Sequence, residues 1–157
     1  INLFIMGVLY MDNMIFIEGN KFKLQEDGIY SGAYLGKMNI WGRETDVIFE
    51  NVDKSEEAIE KFIEKVSWLN DNKLNVIDAF MEENYECIEF ASEEFDTEIT
   101  EDDFRDALFV GNIYIFINGR DSEFSFDLDT EPDYLCGHLA NMIVSGKYEI
   151  ECDGING

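Results

Sequence analysis

Two apolar stripes of helical spacing, flanked on both sides by hairpin patterns, narrow the folds open to this chain. Ile59, Phe62, Ile63, Val66 and Leu69 recur at steps of three and four, which puts them on one face of a helix. Ser55 stands as its N-cap, and Glu56 and Glu57 fill the first turn, where acids suit the helix dipole. After residues 70–72 a second stripe runs through Val76, Ile77, Phe80, Met81, Tyr85, Ile88 and Ala91. Its other face carries Glu82, Glu83, Glu86, Glu89 and Glu93. The two are expected to pack as an antiparallel helical hairpin on a sheet.

The strands lie before and after. Residues 14–17 and 22–24 flank a turn at Gly19-Asn20, and residues 36–41 and 45–50 flank one at Gly42-Arg43. Thr100-Glu101-Asp102-Asp103 reads as a capping box with Asp at the third position, opening a short helix to Leu108. A β-rich run over 112–118, a Gly119-Arg120 turn and the alternating run 122–128 form the clearest hairpin. Two further strands are expected at 139–144 and 148–152, joined by Ser145-Gly146-Lys147. Strands, then helices, then strands favour an α+β fold: an antiparallel sheet of hairpins against a central helical hairpin. With 157 residues, a single proline and no linker composition, the chain reads as one domain. Within it, residues 1–28 form an N-terminal hairpin extension and 29–157 the acidic α+β domain.

Charge excludes more than it identifies. The chain carries 35 acids and 11 bases, a net charge of −24. Residues 1–73 hold 13 acids and 8 bases, whereas residues 74–157 hold 22 acids and 3 bases. Such a field repels phosphate backbones and anionic membranes and steers basic partners inward. Nucleic acid and membrane are therefore not expected as partners; a basic protein is. Cys87, Cys136 and Cys152 form an odd set without C-x-x-C spacing, and no Asn-x-Ser/Thr sequon occurs, which favours a reducing cytoplasm. Residues 1–10 are apolar but lack a basic n-region and a cleavage site, and Met11 is an alternative start.

Few residues invite chemistry. His138 is the one histidine, with Cys136 two positions before it. Residues two apart share a face only in a strand, and nothing supplies the environment a nucleophile needs. A structural histidine at a strand start is the preferred reading, and an enzyme or small-ligand-binding domain with its site around His138 is the alternative. Asp127, Asp129, Glu131 and Asp133 place acids at every second position, like the start of an EF-hand loop. Pro132 stands where that loop needs glycine, and His138 where it needs its bidentate glutamate. A solvated acidic loop is expected instead. One histidine and three scattered cysteines make no zinc pattern, and no phosphate-loop, dinucleotide, zinc-protease or nucleophile-elbow motif is present. No catalytic residue, metal or cofactor is expected. Trp41 and Trp68 read as packed side chains.

Trp41-Gly42, Thr100 to Phe104, Asn118-Gly119, Tyr134-Leu135-Cys136-Gly137-His138 and Ile155-Asn156-Gly157, taken together, resemble an uncharacterised bacterial domain-of-unknown-function family of small acidic α+β proteins. The likeness covers residues 29–157. It departs at Trp41-Gly42, which lacks the family's intervening residue, and at Asn118, where the family has Asp. The resemblance implies no activity. Relatives resemble small acidic proteins found beside bacterial toxin genes, which implies an immunity-like role, and the resemblance implies that Gly137 and His138 form a structural turn and strand start. The expectation is a non-enzymatic protein that neutralises a basic toxin or nuclease. Glu82, Glu83, Glu86, Glu89, Glu93, Asp127, Asp129, Glu131 and Asp133 are the expected contacts.

Overall fold

The computed structural model of the protein describes residues 3–5, 8–51, 56–118 and 122–156. Among these, six strands come first: β1 (Leu3–Ile5), β2 (Val8–Met11), β3 (Met14–Ile17), β4 (Asn20–Leu24), β5 (Tyr34–Ile40) and β6 (Arg43–Asn51). Helices α1 (Glu56–Asp71), α2 (Lys73–Asn84), α3 (Cys87–Glu94) and α4 (Glu101–Ala107) follow. Strands β7 (Leu108–Ile117), β8 (Phe124–Thr130), β9 (Leu139–Val144) and β10 (Ile150–Asn156) complete the chain. All ten strands form one sheet in chain order. The fold is α+β, as the order of patterns predicts.

The sheet is mixed rather than wholly antiparallel. β6 and β7 run parallel at its middle, with Val47 opposite Ile113 and Phe49 opposite Ile115. Parallel neighbours need a long crossover, and here all four helices supply it. Four helices replace the expected three, because the second stripe makes two. The second stripe divides at Tyr85-Glu86, where the Ile88 N–H bonds the Tyr85 carbonyl only three residues back, tightening the turn and shifting its phase. Ala91 stays buried after the shift, while Tyr85 leaves the stripe for the surface.

Both early hairpins turn one residue sooner than expected. The central pairs are Glu18-Gly19 (φ 51° and 82°) and Trp41-Gly42 (φ 53° and 82°), the type I′ pattern with both residues left-handed. Glycine takes the second central position in each, so Asn20 and Arg43 already open the next strand. Trp41 is held in this conformation from outside: its Nε1 donates to the Leu69 carbonyl at 2.8 Å and its backbone N–H to Asn70 Oδ1 at 3.0 Å. Those acceptors lie near the end of α1, where carbonyls lack intrahelical donors. The capping box also forms: the Asp103 N–H donates to Thr100 Oγ1 and the Thr100 N–H to Asp103 Oδ2. Ser55 and the Gly119-Arg120 turn lie outside the described residues.

One face of the sheet buries its side chains beneath the helices. Ile113, Ile115, Phe124, Phe126, Leu128, Met142 and Val144 alternate along β7, β8 and β9 as a half-buried sheet requires. α1 packs on β5, β6 and β7, α2 on β10 and α4 on β8. Phe62 of α1 meets Phe22 edge-on at 5.5 Å and Phe49 at 4.4 Å, so β3 and β4 share the core of the larger part.

Candidate functional site

The acidic face of the second stripe becomes a ridge over α2 and α3. Glu82, Glu83, Glu86, Glu89 and Glu93 are all exposed, and among the described residues none of them takes part in an ion pair. Tyr85 and Phe90 stand among them, 59% and 51% exposed. Like charges at helical spacing repel by a few tenths of a kcal/mol per pair, so the ridge is held by the buried side of α2 and not by its own surface. Val76, Ile77, Phe80 and Met81 supply that buried side. Acids interleaved with large exposed rings match the needs of a cation-rich protein surface: carboxylates for the charge, rings for the contact area.

The second set of acids does not form one loop. Asp127 and Asp129 lie within β8, and the alternation of acids is the two-residue period of a strand. Phe126, Leu128 and Thr130 point into the core, so Asp127 and Asp129 stand on the face away from the helices. Asp127 is only 8% exposed there: Tyr114 Oη donates to its Oδ2 and Asn141 Nδ2 to its Oδ1, each at 3.1 Å. It is a buried hydrogen-bonded carboxylate and offers little direct contact to a partner. Asp129 Oδ1 accepts from the Thr130 N–H.

Beyond the strand, Glu131 pairs with Arg43, whose guanidinium also covers the Phe109 ring at 3.8 Å. Asp133 accepts the Gly137 N–H at 2.9 Å and so closes the turn in which Cys136 (φ 54°) and Gly137 (φ 79°) are both left-handed. Ridge and strand acids therefore occupy different faces of the molecule, and the expected contact set falls into two parts.

His138 follows that turn and is exposed; its backbone N–H donates to the Leu135 carbonyl at 3.0 Å. It lines none of the three cavities that open near Tyr114 and Arg43. Among the described residues Cys136 Sγ and the imidazole have no orienting partner in common. Burial, with Glu86 and Cys152 adding to it, pushes the Cys87 thiol up to about 11, which suppresses the thiolate. No three His, Cys, Asp or Glu side chains among the described residues are arranged to hold a metal ion.

Two groups escape a reading of the sequence alone. Lys65 sits in the first apolar stripe and is buried, its Nζ donating to the Ser122 carbonyl at 2.7 Å and lying 5.4 Å from the Phe124 ring. Its pKa is lowered, first by burial. The only hint in the sequence is its place three residues after Phe62. Tyr114, Asn112 and Phe116 form the outer row of β7, and their two-residue period within a run of strand formers is visible in the sequence once the direction of each face is known. No helix among the described residues is long and apolar enough to cross a membrane. Set against protein-family models, curated proteins and solved structures, the chain matches none.

Proposed function

We propose that the protein is a non-enzymatic, immunity-like binding protein that neutralises a basic toxin or nuclease, with the ridge over α2 and α3 as its principal contact. One observation carries this reading: five exposed glutamates, paired with no cation among the described residues, surround two exposed rings. Maintaining such a surface costs self-repulsion, and a basic partner would relieve it. The toxin-linked part rests on the family resemblance of residues 29–157.

Electrostatic steering gives the reading a kinetic signature. Affinity capture with the protein as bait at low salt, followed by stopped-flow mixing with each captured protein, supplies the test. A basic partner whose association rate falls by about tenfold or more between low and physiological salt is expected. Capture of acidic or neutral proteins alone, or an association rate indifferent to salt, would sink the idea.

A further inference from the structure

The helices leave one face of the sheet uncovered, and two cavities open there on either side of Tyr114. One, of about 400 Å³, is lined by Phe116, Glu123, Ser125, Asn141 and Ile143. The other, of about 240 Å³, is lined by Tyr30, Leu35, Asp46, Ile48 and Asn112. The strand register puts these residues in rows across the sheet: Leu35, Ile48, Tyr114, Ser125 and Ile143 in one, Asp46, Asn112, Asp127 and Asn141 in the next. Apolar groups are exposed at both ends of the face, Ile29 beside Tyr30 at 90% and Phe116 at 45%.

Around Tyr114 the charge of this face is out of balance: Lys21 and Lys23, which share the face and take part in no ion pair among the described residues, stand on β4, three strands away. Asp127 is buried, yet both of its oxygens are held by neutral donors, and among the described residues no cation lies within ion-pair distance of it or of Glu123. Lys37 is matched against two acids, Glu44 and Asp46. A buried carboxylate is ordinarily compensated by a counter-ion, so the face has room for a positive charge from outside.

We propose that this face receives an extended, arginine-bearing segment of a basic protein, with one guanidinium lodged against Tyr114, Phe116 and Glu123. A guanidinium is planar, stacks on aromatic rings and donates to carboxylates as a fork, and it is less strongly hydrated than an ammonium. The larger cavity offers those partners together: two rings, a carboxylate at its rim and the hydrogen-bonding side chains of Ser125 and Asn141. Asp127 contributes through its field and by holding Tyr114 and Asn141 in place. Because Asp127 alternates with Phe126 and Leu128, which are buried beneath the helices, this groove and the ridge are separate surfaces, and either can fail without the other.

The test is a calorimetric titration of the full chain with a hexa-arginine and a hexa-lysine peptide at equal ionic strength. The arginine peptide is expected to bind about tenfold more tightly. Glu123→Gln, at an exposed position, and Asp127→Asn, which keeps hydrogen bonds to Tyr114 and Asn141 within reach, should each remove most of that preference. Glu86→Gln with Glu89→Gln should leave it intact. Equal affinity for the two peptides, binding of neither, a preference that survives both groove substitutions, or one lost with the ridge substitutions would overturn the proposal. Circular dichroism and thermal melting of each variant confirm that the fold is retained.

Discussion

The hydroxyl of Tyr114 donates to Oδ2 of Asp127 at 3.1 Å, joining β7 to β8 on the face that the helices leave bare. Burial raises the Tyr114 pKa above its ordinary 10.0, and Asp127 and Tyr30 add to the rise. A folded-state pKa above the unfolded value stabilises the fold below pH 10.0, and this contribution is lost as the pH climbs past it. Tyr148, pushed up to about 12, and Tyr34 also ionise late. Ultraviolet titration should therefore show a late phase that loses one phenolate in Tyr114→Phe and has that phenolate ionise earlier in Asp127→Asn. A Tyr114→Phe titration curve whose late phase is undiminished would contradict the assignment.

Gly36 answers to a different constraint. A Cβ on it would stand 2.5 Å from Phe22 Cδ1 and 2.6 Å from the Lys21 carbonyl, and Phe22 is fully buried against Phe62. Neither a core ring nor a strand backbone can yield cheaply. Gly36→Ala is expected to cost about 2–3 kcal/mol, read as a lower midpoint in urea unfolding with unchanged slope.

Lys65 should behave as a packing residue with a charge attached. Lys65→Ala empties space between Phe124, Tyr148 and Trp68 and should cost about 2–3 kcal/mol. Lys65→Met keeps the volume and removes a buried charge, so its stability should lie within about 1 kcal/mol of the parent at neutral pH. Since the folded-state pKa is depressed, the parent's stability relative to Lys65→Met should rise as the pH rises toward 10.5. Thermal melts across alkaline pH check both statements.

Thiol chemistry separates the cysteines. With its pKa at about 11, Cys87 is ionised to the extent of roughly one molecule in ten thousand at neutral pH. Iodoacetamide should therefore label Cys87 slowest, as peptide mapping of a time course would show. Rapid labelling of Cys87 would mean that its burial is wrongly assigned.

Periodicity carried the fold a long way and then reached its limits at identifiable residues. The stripe Ile59, Phe62, Ile63, Val66 and Leu69 is legible because four of its members are buried and Ile63 is half-buried against the same core. The second stripe misleads at Tyr85, since a single tightened turn shifts the phase without altering the residues. The parallel pairing of β6 with β7 depends on how four helices return the chain, which no local pattern encodes. Acids at every second position from Asp127 look like a loop because they are charged. Leu128 and Thr130 between them mark a strand. The ridge glutamates were visible from sequence; the groove around Tyr114 was not, because it joins residues from β5 to β9 that only the register brings together.

The most direct measurement replaces Glu82, Glu83, Glu86, Glu89 and Glu93 by glutamine together and follows binding to a captured basic partner by stopped flow. Since charges at the rim of an interface act chiefly on encounter, the association rate should fall by about tenfold or more at low salt and lose most of its salt dependence, while dissociation changes little. An association rate equal to that of the parent chain, with the same dependence on salt, would contradict the ridge as the contact surface.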